Sequence, residues 1–116
     1  MEKLKEILEN EGWKIDEEIK WADGTMGWQI SKYSPAGEDF SITIETNNNI
    51  DKAIEEINEQ AEKFDEDEHS TMWIEAKYHR TLKNIPSNKE LVQDAENIHN
   101  MLKELAGKVN KLKGDN

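Results

Sequence analysis

Nine carboxylates crowd one short stretch of the chain. Asp51, Glu55, Glu56, Glu59, Glu62, Asp65, Glu66, Asp67 and Glu68 face only Lys52 and Lys63, a local net charge of −7 within residues 50–68. Ile50, Ala53, Ile54, Ile57, Ala61 and Phe64 recur there at helical spacing, so the segment reads as a helix with one apolar side. On that helix Glu55, Glu59 and Glu62 step by four and three, which lines them up on another side. Like charges at this spacing repel by a few tenths of a kcal/mol each. A row of carboxylates ~5–6 Å apart suits a groove lined by lysine and arginine, where counterions are released as they are around a phosphate backbone. The alternative is a helix face that is merely solvated.

Other chemistry is sparse. There is no cysteine, hence no thiolate nucleophile, disulfide framework or thiolate metal site. Ser34 sits in Tyr-Ser-Pro-Ala-Gly, which is not the G-x-S-x-G elbow of hydrolases. His69, His79 and His99 are too scattered for a helical H-E-x-x-H metal motif. His69 beside Asp65 and Asp67 leaves a metal reading open, against that of a helix-entry histidine packed beside Trp73. A calcium loop starting at Asp65 fails, because Ser70 stands where glycine is needed and Ala76 where glutamate is. The glycines are isolated, so no phosphate-cradling loop exists. The expectation is a protein that is not an enzyme, with no cofactor and no metal.

Four tryptophans could anchor either a core or an interface. Trp13, Trp28 and Trp73 fit apolar faces. Trp21, beside the Asp23-Gly24 turn, is the one expected to be exposed, and exposed tryptophans often anchor partner contacts. The expected partner-binding residues are therefore Glu55, Glu56, Glu59, Glu62, Asp65, Glu66 and Asp67, with Trp21 and the loop acids Glu38 and Asp39.

The elements that must position these residues follow from periodicity. Residues 2–10 read as a short helix stopped near Gly12. Trp13 and Ile15 begin an extended run through Ile19 and Trp21, turned at Asp23-Gly24. Met26, Trp28 and Ile30 alternate up to Tyr33, and Ser34 to Gly37 turns again. Phe40, Ile42 and Ile44 repeat at period two. Together these form a three-stranded antiparallel meander with one apolar face. Asn47 to Asn49 offers a helix cap, and Asp65 with Glu68 resembles a capping box. His69, Met72, Trp73 and Ala76 share a stripe on the next helix. Residues 80–86 read as a loop, and Ser87 with Glu90 opens the last helix. There Leu91, Ala95, Ile98, Leu102, Leu105, Val109 and Leu112 step by fours and threes. That seam either forms a coiled-coil homodimer or, more simply, covers the sheet. The predicted fold is α+β: a short N-terminal helix, the sheet, then three helices packed on one face. Residues 1–112 form one domain, and 113–116 fray.

At 116 residues the chain can bury one modest core. Only 34% of residues are hydrophobic and 35% are charged, so the core must be gathered from one face of each element. The net charge of −11 disfavours direct contact with nucleic acid and with anionic membranes, and favours a basic partner. No stretch approaches a membrane span, and residues 1–6 lack the apolar core of a secretory signal. The expected location is the cytoplasm.

The runs Trp28-Gln-Ile-Ser-Lys-Tyr-Ser-Pro-Ala-Gly-Glu-Asp-Phe40 and Phe64-Asp-Glu-Asp-Glu-His-Ser-Thr-Met-Trp-Ile-Glu-Ala76 resemble a family of small acidic proteins. That family belongs to phages, plasmids and integrative elements of Gram-positive bacteria. The likeness continues through Ile85-Pro-Ser-Asn-Lys-Glu-Leu91 into the last helix. It implies a mobile-element accessory protein at work in a bacterial host cell, and it carries no catalytic residues. Small acidic proteins in that setting are often counter-defence factors of the anti-CRISPR or antirestriction type that imitate DNA. By that analogy the partner is the basic surface of a bacterial nuclease or other nucleic-acid-binding protein.

Overall fold

The computed structural model describes residues 1–78 and 86–113, with side chains described through Ala76 and again from Pro86. Seven elements follow in order: α1 (Glu2–Asn10), β1 (Lys14–Lys20), β2 (Met26–Tyr33), β3 (Asp39–Glu45), α2 (Ile50–Lys63), α3 (Glu66–Tyr78) and α4 (Asn88–Lys113). The fold is the mixed α+β arrangement that the periodicities predict. The expected loop at 80–86 (apart from Pro86), His79 and residues 114–116 lie outside the described residues.

In α1, Leu4 and Leu8 are one turn apart and both buried. The helix stops where Gly12 takes φ +84°; Gly12 N–H donates to Glu9 O, and Trp13 N–H to Leu8 O at 2.8 Å. This paired closure needs a left-handed residue, which glycine adopts without a Cβ clash. The chain leaves it with Trp13 buried in the core.

The three strands pair antiparallel in the order β1-β2-β3. Cross-strand partners share a face, so Ile15, Ile30 and Ile42 stand together, as do Trp28 and Ile44. The period-two reading of β2 and β3 holds. In β1 it fails after Ile15, because the register shifts between Ile15 and Glu17. The extra residue of a bulge reverses the alternation. Ile19 therefore lies opposite Gly27 on the outer face, and the strand ends at Lys20 instead of reaching Trp21.

The inner face is covered by helices. Ala53, Ile54, Ile57 and Ala61 of α2 are buried, and they join Trp28, Ile30, Ile42 and Ile44 in one core with Leu4, Leu8 and the α4 side chains. Asn49 caps α2, its Oδ1 accepting from Asp51 N–H at 2.9 Å and Lys52 N–H at 3.2 Å. Asp65 Oδ1 accepts from Glu68 N–H at 3.0 Å, and Ser87 Oγ from Glu90 N–H at 3.2 Å. Both predicted caps are in place.

The seam on α4 is internal. Leu91, Ala95, Ile98, Leu102, Leu105 and Val109 are all buried within this single chain, which is the simpler of the two readings. A second copy would have to find another apolar surface.

The stripe read on α3 needs correction. Met72 is 55% exposed, Trp73 is only half-buried, and Ser70 is the one buried residue among the described side chains of this helix. α3 stands at the margin of the core against α4, so its apolar residues are shared between the interior and solvent.

Candidate partner-binding surface

The sequence places nine carboxylates in one stretch; the fold distributes them into different duties. Glu55, Glu59 and Glu62 do stand together. With Asn58, Asn110 and Lys113 they line one open recess of about 470 Å³ between α2 and α4. Asn58 and Asn110 exchange hydrogen bonds across its floor, at 2.8 and 3.0 Å. Glu59 is hydrogen-bonded to Lys63 one turn away, and the Lys63 ammonium holds the Glu59 carboxyl below the usual carboxylate range. Lys63 is exposed and Glu59 about half-exposed, so solvent screens the pair. Lys63 and Lys113 therefore offset part of the negative field, and Glu55 and Glu62 are its exposed poles.

Other expected interface residues are engaged inside the molecule. Glu38 is buried at 8% exposure, and its Oε1 lies 2.6 Å from His69 Nε2. It is not a surface acid, because the turn that carries it folds inward against α3. Glu56 Oε1 accepts from Glu45 N–H at 3.0 Å, closing the end of β3. Glu66 Oε2 lies 2.7 Å from His99 Nδ1. Asp65 serves as the α3 cap. Asp39 and Asp67 remain exposed, as does Asp51.

Trp21 is 36% exposed. Its ring lies flat enough on Gly27 that a Cβ there would come within 2.5 Å of it and of Ile44 O. An exposed edge and a seated face describe it together. Beside it, Asp23 Oδ1 accepts from Thr25 Oγ1 at 2.6 Å and Thr25 N–H at 3.0 Å. These two donors hold the Asp23 carboxyl below the ordinary range.

The residues that could suggest catalysis are tied into a structural network. Ser34 Oγ donates to Asp94 Oδ2 at 2.6 Å and accepts from Glu38 N–H at 3.0 Å. Ala36 N–H donates to Asp94 Oδ1 at 3.1 Å. Asp94 is 1% exposed, so a buried carboxylate on α4 pins the Ser34–Asp39 turn. The Ser34 hydroxyl is itself buried, and no histidine is hydrogen-bonded to it among the described residues.

His69 packs against Phe40 and Phe64, with ring centroids 5.8 and 5.1 Å away, not simply beside Trp73. His99 bridges three elements. Its Nε2 is hydrogen-bonded to Ala61 O at 3.0 Å, its Nδ1 to Glu66, and its ring lies 5.5 Å from Phe64. Among the described residues no group of three or more histidines and carboxylates is arranged to hold a metal ion.

Periodicity on α4 contains the signal for one missed residue. Asp94 lies three residues after Leu91 and four before Ile98, on the buried stripe, where a carboxylate must have dedicated donors. Neither histidine partner was readable, since each contact joins residues more than thirty positions apart.

Comparison with protein-family models, curated proteins and solved structures returns no match. The site must be interpreted from its own geometry. Among the described residues no helix is long and apolar enough to cross a membrane.

Proposed function

We propose that this protein acts by binding a basic surface on a partner protein, as a mobile-element accessory factor that occupies the nucleic-acid groove of a host nuclease or related enzyme. The observation that carries the proposal is the alignment of Glu55, Glu59 and Glu62 along one open recess. Of the remaining acids of the stretch, Glu56, Asp65 and Glu66 are engaged within the molecule, and Asp51, Asp67 and Glu68 are exposed but do not line this recess. The net charge of −11 adds long-range attraction to a basic partner and repulsion from competing nucleic acid. The family resemblance in the 28–40 and 64–76 runs supports the mobile-element setting, and analogy with small acidic proteins of that setting supports the counter-defence purpose.

The experiment is capture from a bacterial lysate at low salt, with elution along a salt gradient. Retained proteins should be nucleic-acid-binding enzymes, should elute steeply with salt, and should be displaced by duplex DNA. The E55K/E59K/E62K variant should lose them. Unchanged retention by that variant refutes the assignment of this face.

A further inference from the structure

The sheet has two edges, and only one is guarded. The β1 edge is interrupted by a bulge and carries Lys14, Asp16, Glu17, Glu18 and Lys20, devices that keep other strands away. The β3 edge has no bulge, no lysine and no proline along Asp39–Glu45.

Its outward rungs can be located. Thr46 N–H donates to Met26 O, toward β2, whereas Glu45 N–H donates to Glu56 Oε1, away from it. Direction alternates along an antiparallel strand, so Ser41 and Thr43 also point their amides and carbonyls outward. No partner for those outward groups is found among the described residues, and both residues are exposed.

Open hollows flank this edge on both faces of the sheet. On the outer face a hollow of about 610 Å³ runs past Trp21 and Thr43, bordered by Asp23, Glu45 and Glu56, with Lys52 paired to Glu45 at 3.8 Å. On the inner face a hollow of about 340 Å³ is walled by Phe40, Ile42, Phe64 and Met72, with Lys63, Asp65 and Glu68 also lining it. A strand laid against β3 sends alternate side chains to the two faces. One set would enter the apolar hollow and the other would meet the three carboxylates.

We propose that the β3 edge is a docking strand for an extended segment of a partner protein in which apolar and basic residues alternate. Main-chain bonds to Ser41 and Thr43 supply attachment, and the two hollows supply selectivity. The occupant is basic because its outward set faces Asp23, Glu45 and Glu56, three carboxylates offset there by Lys52 alone; a second copy of this acidic chain would bring like charge to that set. This goes beyond the α2 recess, which offers side-chain charge but no backbone rungs.

The test uses a synthetic peptide of alternating lysine and valine, and the same peptide methylated on every second backbone nitrogen, each titrated into isotope-labelled full-length protein. Amide shifts should be centred on Ser41 and Thr43, and methylation of the pairing nitrogens should weaken binding about tenfold. Thr43→Pro removes an outward amide without taking a ladder bond, and should weaken the unmodified peptide to a similar extent. The methylated peptide needs no protein variant, so the test stands if Thr43→Pro misfolds. E55K/E59K/E62K should keep the Ser41 and Thr43 response, which separates this edge from the α2 face. Equal binding of the two peptides, shifts centred on Glu55, Glu59 and Glu62, or β3-dependent self-association in place of peptide binding each overturns the proposal.

Discussion

Replacing Asp94 by alanine probes the interaction that joins the 34–39 turn to α4. Two donors converge on this buried carboxylate, Ser34 Oγ at 2.6 Å and Ala36 N–H at 3.1 Å. Hydrogen bonds to a charged group contribute roughly 1.5–3 kcal/mol each. Taking the lower end for both, D94A should cost about 3 kcal/mol, and at this chain length that lowers Tm by roughly 10–15 °C. Asp94→Asn should cost about half as much. Its Oδ1 still accepts from Ala36, but its amide must donate to Ser34 Oγ, which strands the hydroxyl proton. Ser34→Ala removes the same bond from the other side. The S34A/D94A pair should therefore be less destabilising than the sum of the singles by about 1.5 kcal/mol. Urea unfolding followed by tryptophan fluorescence measures the parent and the four variants. A D94A midpoint within about 1 kcal/mol of the parent, or strict additivity in the cycle, would refute the pinning role.

Gly27→Ala should cost about 1–3 kcal/mol, because its Cβ would meet Trp21 and the Ile44 carbonyl, each at 2.5 Å. Adding Trp21→Ala should restore only part of that loss in a chemical-denaturation series, since the carbonyl cannot move aside. His99→Ala should cost about 2 kcal/mol by the same assay, having removed contacts to Ala61 and Glu66. In the parent, nitrogen-detected NMR should find a hydrogen on His99 Nε2, because the Ala61 carbonyl can only accept. Thr25→Val should raise the Asp23 pKa toward ordinary carboxylate values in a carboxyl-carbon NMR titration, since the Thr25 hydroxyl is the largest cause of its depression. The sign follows from that depression: the Asp23 contribution to folding is present above the ordinary carboxylate pKa and is lost as pH falls through the lower folded value.

Much of the architecture was legible because short-range rules govern it. Period-two alternation in Met26–Ile30 and Phe40–Ile44, the Gly12 stop, and the Asn49, Asp65 and Ser87 caps all involve residues within a few positions of one another. The α4 stripe marked a buried helix for the same reason. What local pattern could not say was whether that stripe met this chain or a second copy. The bulge at Ile15–Glu17 was equally hidden, since register depends on the partner strand and not on β1 alone.

The candidate site divides along the same line. Spacing on α2 was enough to place Glu55, Glu59 and Glu62 on one side, because a helix fixes the angle between residues three and four apart. It could not decide which acids would remain available to a partner. Glu38 and Glu66 became partners of histidines 31 and 33 positions away, and Glu56 became the cap on a strand end. A carboxylate is less available for binding when a nearer donor claims it, and long-range packing brought the donors that claim Glu38 and Glu66. The sequence by itself set the charge and its helical phase. Tertiary structure decided how much of that charge faces outward and left the outward rungs of Ser41 and Thr43 without a partner among the described residues.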